Sequence, residues 1–546
     1  MAHRINYYIL SLLLLLLPQT FVLGNLIPRK TGPRISTTVT LDYGTFKGRH
    51  NKTSGIFSFR GIKFADPPTG DMRWTAPVSP PSQNLGNVNA TKFGLSCVRT
   101  NQILVKNETS EDCLFANIFV PNNTHVNDKL PVLVWFHGGG FQIGTTHEFH
   151  PDLLMASSSQ PFIFASFEYR LGQFGFLGGS EIAESGAINA GFLDQRAALK
   201  WVQRYIGQFG GDSGHVTIWG QSAGAGSIMY HLMANNGDTE GLFHAAIMDS
   251  PPLVYTPAFN DDYDEGIFQQ FAELAGCGNG TTAAKDGQLN CLRKLTSTKL
   301  AKAGSSLLAA RPDTLFLFAP VVDNILIKER PVEAYKAGRF AHVPVIAGSN
   351  TDEGAHWSST VPDPAANTSF PNATETTVFN FLVGQYPSLT SETITTTGFS
   401  LYPLESFGGN VSLQGQQMYG EARYICSALM STPAVPAFGN SAYQYRYDNP
   451  HLGSHHKDEL QAYFSPSLDA DDDDLALFET MREYITSFVT TGKPVSKSGP
   501  EWKPVGSDSG LSRIVFNPQN SAMEEVDNAL TTRCDFWHGI TDEVLT

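Results

Sequence analysis

Five short apolar runs constrain how this chain can fold: 131–136 (PVLVWF), 162–167 (FIFASF), 215–219 (HVTIW), 245–248 (AAIM) and 343–347 (VPVIA). Turn formers separate them, and their near-continuous hydrophobicity reads as strands covered on both faces rather than on one. Strands of that kind occupy a largely parallel sheet with helices packed on either side. The stretch 190–206 supplies one such helix, with apolar positions at Phe192, Leu193, Ala197, Leu199, Trp201 and Val202 at helical spacing. The expected fold class is therefore α/β, a large and mostly parallel mixed sheet flanked by helices. Residues 254–311 are rich in helix-like patterns and 363–409 in Thr, Ser, Pro and Gly, and both read as insertions over or beside the sheet. No repeat or low-complexity linker divides the chain, so one domain is expected over 25–546.

The strongest chemical signal is Gly220-Gln221-Ser222-Ala223-Gly224, a G-x-S-x-G sequence directly after the strand signal at 215–219 and before a helix signal at 226–232. At a sharp strand-to-helix turn a serine hydroxyl is forced into the open, and small flanking residues tolerate the crowded backbone. Ser222 is thus a candidate nucleophile. A serine hydroxyl is almost fully protonated at neutral pH and needs a base, and an oxyanion formed by its attack needs donors. The run His137-Gly138-Gly139-Gly140-Phe141 follows the strand signal at 131–136, and its bare backbone can aim amides inward. The amides of Gly139, Gly140 and Ala223 are the expected oxyanion donors, with His137 a structural support of the turn.

The N-terminus indicates the compartment. Arg4 precedes an apolar stretch at 7–18 that contains six consecutive leucines, and turn-forming residues follow near Gly24. This reads as a secretory signal peptide over 1–24, too short for a membrane anchor. Sequons at Asn51, Asn89, Asn107, Asn122, Asn279, Asn367, Asn372 and Asn410 suit a glycosylated extracellular protein. The six cysteines, Cys97, Cys113, Cys277, Cys291, Cys426 and Cys534, are even in number and can pair in 15 ways, which spacing alone does not resolve. None has metal-like spacing, so no metal and no cofactor are expected. A net charge of -15, densest at Asp469 and 471–474, opposes binding to nucleic acid. The acid run reads as a solvated loop, with calcium as the minor reading.

Taken in order, Glu111-Asp112-Cys113-Leu114, His137 to Phe141, Tyr169-Arg170-Leu171-Gly172, Asp194-Gln195, Phe209-Gly210-Gly211-Asp212 and Gly220 to Gly224 resemble the type-B carboxylesterase/lipase family, which includes cholinesterases and fungal lipases. The match runs from about Leu41 to Trp537. The resemblance implies an α/β-hydrolase fold, with inserted helical regions over the active site, and a serine esterase acting on a small-molecule ester. It implies that the acid of the triad is the Glu of an Asp-Glu-Gly turn, which is Glu353, with Asp352 the rival. The base is then His456 in His456-Lys457-Asp458-Glu459-Leu460, with His455 and His451 as neighbours. It further implies disulfides Cys97 with Cys113, Cys277 with Cys291 and Cys426 with Cys534, and structural ion pairs Arg60 with Glu111 and Arg170 with Asp194.

The chain departs from that family in two places. Only 15 residues separate Cys97 from Cys113, and 98–112 contains no aromatic side chain. Lipases of the family carry a long amphipathic flap there and cholinesterases a Trp that holds the choline cation, so neither an oily lid nor a choline site is expected. Gln221 stands where many relatives place Glu, which removes a negative charge beside the nucleophile. Phe316 and Phe318 can line an acyl pocket or pack the core. The alternatives to an esterase are a lipase acting on longer acyl esters, or a catalytically silent binding protein on the same scaffold.

Overall fold

The computed structural model describes residues 32–507 and 511–546, so the signal peptide expected over 1–24 lies outside the described residues. The central feature is an 11-stranded mixed sheet. In chain order its strands are β1 (Arg49–Asn51), β2 (Ile56–Lys63), β3 (Phe115–Pro121), β4 (Leu130–Phe136), β5 (Ile163–Phe167), β6 (Gly211–Gln221), β7 (Ala245–Asp249), β8 (Val345–Asn350), β9 (Ala442–Tyr447), β10 (Ser512–Phe516) and β11 (Ala522–Glu525). Across the sheet they run β11-β10-β9-β8-β7-β6-β4-β5-β3-β2-β1. From β10 to β5 every neighbouring pair is parallel, and the pairings at both margins are antiparallel.

The five apolar runs are β4 to β8, and their continuous hydrophobicity serves two cores. Val132, Val134 and Phe136 of β4 pack with Ile218 of β6 on one face. Leu133 and Trp135 pack with Trp219 and with Ile247 of β7 on the other. Helix α1 (Ala190–Tyr205) covers the first face through Ala198, Leu199, Trp201 and Val202. Helix α2 (Ala223–Gly237) leaves the end of β6, and helix α3 (Asp472–Thr491) covers the second face through Phe478, Met481, Ile485 and Phe488. Truncating such a buried aromatic to Ala costs about 3–5 kcal/mol, which gauges how firmly α3 is held. A third cluster joins Phe381, Leu382 and Tyr419 from the 363–430 region to Leu530 and Trp537 near the C-terminus.

The structure pairs Cys97 with Cys113, Cys277 with Cys291 and Cys426 with Cys534, the set that the resemblance implies. Arg170 holds Asp194 through Nε and Nη2 in a buried pair. The other expected ion pair does not form. Glu111 is gripped by Arg73, whose Nε and Nη2 donate at 2.6 and 2.7 Å, while Arg60 donates to the carbonyl of Thr91 and lies over the ring of Phe93. Arg60 sits on β2 and bridges Thr91 there, whereas Arg73 follows a single turn that delivers it, buried, to the Cys97–Cys113 loop.

The acid run is also not a loop. Asp471 caps α3 by accepting from the amide of Asp474, whose carboxylate accepts in return from the amide of Asp471. Acidic side chains in a first helical turn meet unpaired amides and the positive end of the helix dipole, which explains a cluster that repulsion alone would disfavour. Among the sequons, Asn51, Asn89, Asn107, Asn122, Asn279, Asn372 and Asn410 are exposed. Asn367 is buried, and its amide donates to the carbonyls of Ser359 and Val361, so this fold leaves no room for a glycan there.

Candidate active site

Ser222 stands between the last residue of β6 and the first of α2, with φ 56° and ψ -127°, a strained conformation for a side-chain-bearing residue. The turn closes so tightly that a Cβ on Gly224 would lie 2.1 Å from the carbonyl oxygen of Phe136, which accounts for glycine at that position. Ser222 is 7% exposed. Its hydroxyl lies 2.8 Å from Nε2 of His456. On the other side of the ring, Nδ1 lies 2.6 Å from Oε2 of Glu353. A carboxylate can only accept from Nδ1–H, so Nε2 is left as the acceptor for the serine hydroxyl.

The three side chains come from the C-terminal ends of parallel strands β6, β8 and β9, where open α/β sheets leave a crevice. Glu353 follows β8 and is fully buried. Its Oε1 accepts from the amide of Asn350 at 2.7 Å and from the hydroxyl of Ser250 at 2.5 Å, so both oxygens are engaged and the carboxylate cannot swing. Trp357 Nε1 donates to the Glu353 carbonyl, and the Trp357 ring lies 5.4 Å from that of His456. Tyr424 packs closer on the imidazole, at 4.3 Å. The rivals face elsewhere. Asp352 is exposed and bridges the strand segment of His455, whose own ring lies near Asp458. His451 Nδ1 sits 2.6 Å from Asp474.

Behind the triad lie two further buried carboxyl groups. Asp249, at the end of β7, accepts from Trp219 Nε1 and from the Tyr445 hydroxyl, and burial followed by the Glu353 charge pushes it up to about 7. Burial and the charges of Asp249 and Glu353 push Glu459 well above the carboxylate range, while its Oε2 accepts from Nδ2 of Asn350. Raised in this way, Asp249 and Glu459 hold their protons more tightly than ordinary carboxyl groups, because like charges brought together in a buried space cannot all ionise.

Facing the serine is the glycine turn. Gly139 has φ 115° and Gly140 φ 60°, and among the described residues neither amide nor that of Ala223 meets a protein acceptor. The amide of Ala223 belongs to the first turn of α2 and carries that helix's positive end. The imidazole of His137 is buried, with Nδ1 2.8 Å from the carbonyl of Gly138, and burial lowers its proton affinity. Its carbonyl accepts from Tyr169, so it braces the turn. Phe316 abuts Gly140 so closely that a Cβ there would strike its ring, whereas Phe318 is buried in the core. Gln221 reaches the site as well, with Nε2 3.4 Å from His456 Nε2. The sequence pointed to Ser222, Gly139, Gly140, Ala223, Glu353 and His456. Asn350, Ser250, Asp249, Trp357 and Tyr424 were not foreseen, and no local pattern marks them.

The chain matches the model of the "Carboxylesterase family" over residues 35–537. It is similar to "Secreted triacylglycerol lipase LIP1" of Gibberella zeae, 31% identical over 85% of this chain and 84% of that protein. It is likewise similar to "Secreted lipase 1" of Botryotinia fuckeliana, 32% identical over 80% and 82% of the two. Among solved structures, Aspergillus niger EstA superimposes with a TM-score of 0.83 at 30% identity, covering 93% of this chain and 99% of that one. The fold, a mixed sheet flanked by helices, is that of these α/β-hydrolases. The chain belongs to the carboxylesterase family and is a serine carboxylic ester hydrolase.

Proposed function

We propose that this protein is a secreted esterase that works through an acyl-enzyme on Ser222, with His456 as general base and Glu353 holding the base. The observation that carries the reading is the unbroken line from the Ser222 hydroxyl through His456 to Glu353, at 2.8 and 2.6 Å. His456 Nε2 takes the hydroxyl proton as Oγ attacks the ester carbonyl. The oxygen that becomes negative is received by the amides of Gly139, Gly140 and Ala223, which are already aimed and need no reorganisation. The imidazolium, stabilised by Glu353, returns the proton to the departing alcohol, and a water repeats the sequence on the acyl-enzyme.

The domain spans 25–546 in this reading and follows a cleaved signal peptide. Glycans occupy exposed sequons among Asn51, Asn89, Asn107, Asn122, Asn279, Asn372 and Asn410. The relatives named as secreted lipases support export. The short Cys97–Cys113 loop supports an esterase over a lidded lipase, because its residues 98–112 include no helix that could swing off the site. The absence of an aromatic in that loop, with Gln221 beside the base, argues against cationic esters.

Ser222→Ala tests the reading. Turnover of a soluble p-nitrophenyl ester is expected to fall by several orders of magnitude with the thermal midpoint almost unchanged. Comparable turnover in the variant would refute it.

A further inference from the structure

Arg423 lies in the π-helical turn Glu421–Ile425, one residue before Tyr424, the ring that packs on His456. Turns of this kind interrupt helices at functional positions more often than elsewhere. The Arg423 side chain is 4% exposed, and among the described residues no carboxylate pairs with it. Its Nε has no hydrogen-bond partner. Its polar neighbours are the hydroxyls of Tyr386 and Tyr424, with which its side chain hydrogen-bonds, and of Tyr419, and burial pushes all three phenols up, so they are neutral and offer it no anion. A buried guanidinium without a counter-charge is costly and rarely kept without a use.

The guanidinium borders a narrow recess lined also by Phe316, Gln385, Tyr255 and Asp264. It stacks 5.3 Å from the centroid of Phe316, the same ring that abuts Gly140 of the oxyanion turn. The recess is therefore one aromatic ring away from the reacting atoms. Across it, Asp264 is 7% exposed, with Oδ2 unpartnered. Burial and the charges of Asp261 and Glu265 hold its carboxyl up at about 8, so it is a proton donor at neutral pH. A guanidinium with one unpartnered nitrogen and a carboxyl with one unpartnered oxygen thus border one small space beside the site.

Resting on the ester-hydrolase reading, we propose that this recess receives a carboxylate of the substrate, with Arg423 as its specificity-determining residue. The substrate class is an ester that carries a free carboxylate a few bonds from the scissile linkage, on its acyl or its alcohol half. The carboxylate accepts from the guanidinium, as bidentate geometry favours, and from protonated Asp264. Phe316 separates that group from the oxyanion turn and fixes which esters reach both.

The test compares, in the wild-type enzyme, mono-p-nitrophenyl esters of succinic, adipic and suberic acids with the corresponding methyl diesters, and 4-acetoxybenzoate with its methyl ester. Higher kcat/KM for at least one anionic member, by tenfold or more over its neutral counterpart, is expected, and the arm in which it appears assigns the carboxylate to the acyl or alcohol half. In Arg423→Gln that ratio should fall at least tenfold and recover in part in Arg423→Lys, each ratio being taken within one variant so that a general loss cancels. Neutral members turned over as fast as, or faster than, their anionic partners in both arms would overturn the inference, as would a ratio unmoved by Arg423→Gln. If no ester is turned over and an organophosphonate leaves Ser222 free, the ester-hydrolase reading itself falls and takes this one with it.

Discussion

Asn350 donates from Nδ2 to the carbonyl of His455 at 2.6 Å, tying the end of β8 to the loop that carries His456. The same residue gives its backbone amide to Glu353, so one asparagine ties down both Glu353 and the loop of His456. Asn350→Ala keeps the amide but frees the loop, and a misplacement of about 1 Å can reduce turnover by about 100-fold. The expected result is a fall of that order in kcat with KM little changed. An unaltered kcat would show that the loop is held elsewhere.

Asp264 carries a pH signature in stability. Its folded-state value of about 8 lies above the 3.8 of the unfolded chain, so between those values the folded protein keeps a proton that the unfolded chain releases. Stability contributed by this site therefore falls as pH rises through that window, by an amount on the order of a few kcal/mol. Asp264→Asn removes the titration. Its thermal midpoint relative to wild type is expected to rise from pH 5 to about pH 8 and to level off above that, as measured by calorimetry.

His451 has a slope of the same sign from a different cause. The hydrogen bond from its Nδ1 to Asp474, followed by the charges of Asp474, Asp471 and Asp469, raises its value above the ordinary 6.5. The stabilisation is fully present below about pH 6.5 and is lost as pH climbs through the raised value. His451→Gln is expected to lower the thermal midpoint at pH 5 and to match wild type at pH 9.

The fold was more legible than the site. The strands β4 to β8 announced themselves because burial on both faces leaves little room for polar residues. The flanking strands β3, β9 and β10 were missed because Asn117, Gln444 and Arg513 interrupt them, and those polar groups are satisfied only by distant partners such as Thr146, Leu429 and Glu524. Ser222 was legible because strand, turn and helix are consecutive there. Glu353 and His456 lie far along the chain, and only the resemblance to a family selected them from Asp352 and His455. The same resemblance misassigned the partner of Glu111, since Arg60 and Arg73 both precede it and only the folded backbone decides which one arrives. Arg423 carried no signal at all, because what distinguishes it is the lack of an anion around it in space.

The short Cys97–Cys113 loop makes a kinetic prediction. It leaves Ile103 and Leu104 exposed but forms no helix that could act as an apolar flap from this loop. Hydrolysis of tributyrin followed across its solubility limit is expected to rise smoothly, and a sharp increase on emulsion formation would count against the assignment.

The central claim is that one hydroxyl, activated by His456, is the nucleophile. Tandem mass spectrometry after treatment with a fluorophosphonate reads this directly. The account predicts a single adduct on Ser222 in the wild-type protein and at least a 100-fold slower modification in His456→Ala. An adduct on another residue, or equal labelling rates in the two proteins, would contradict it.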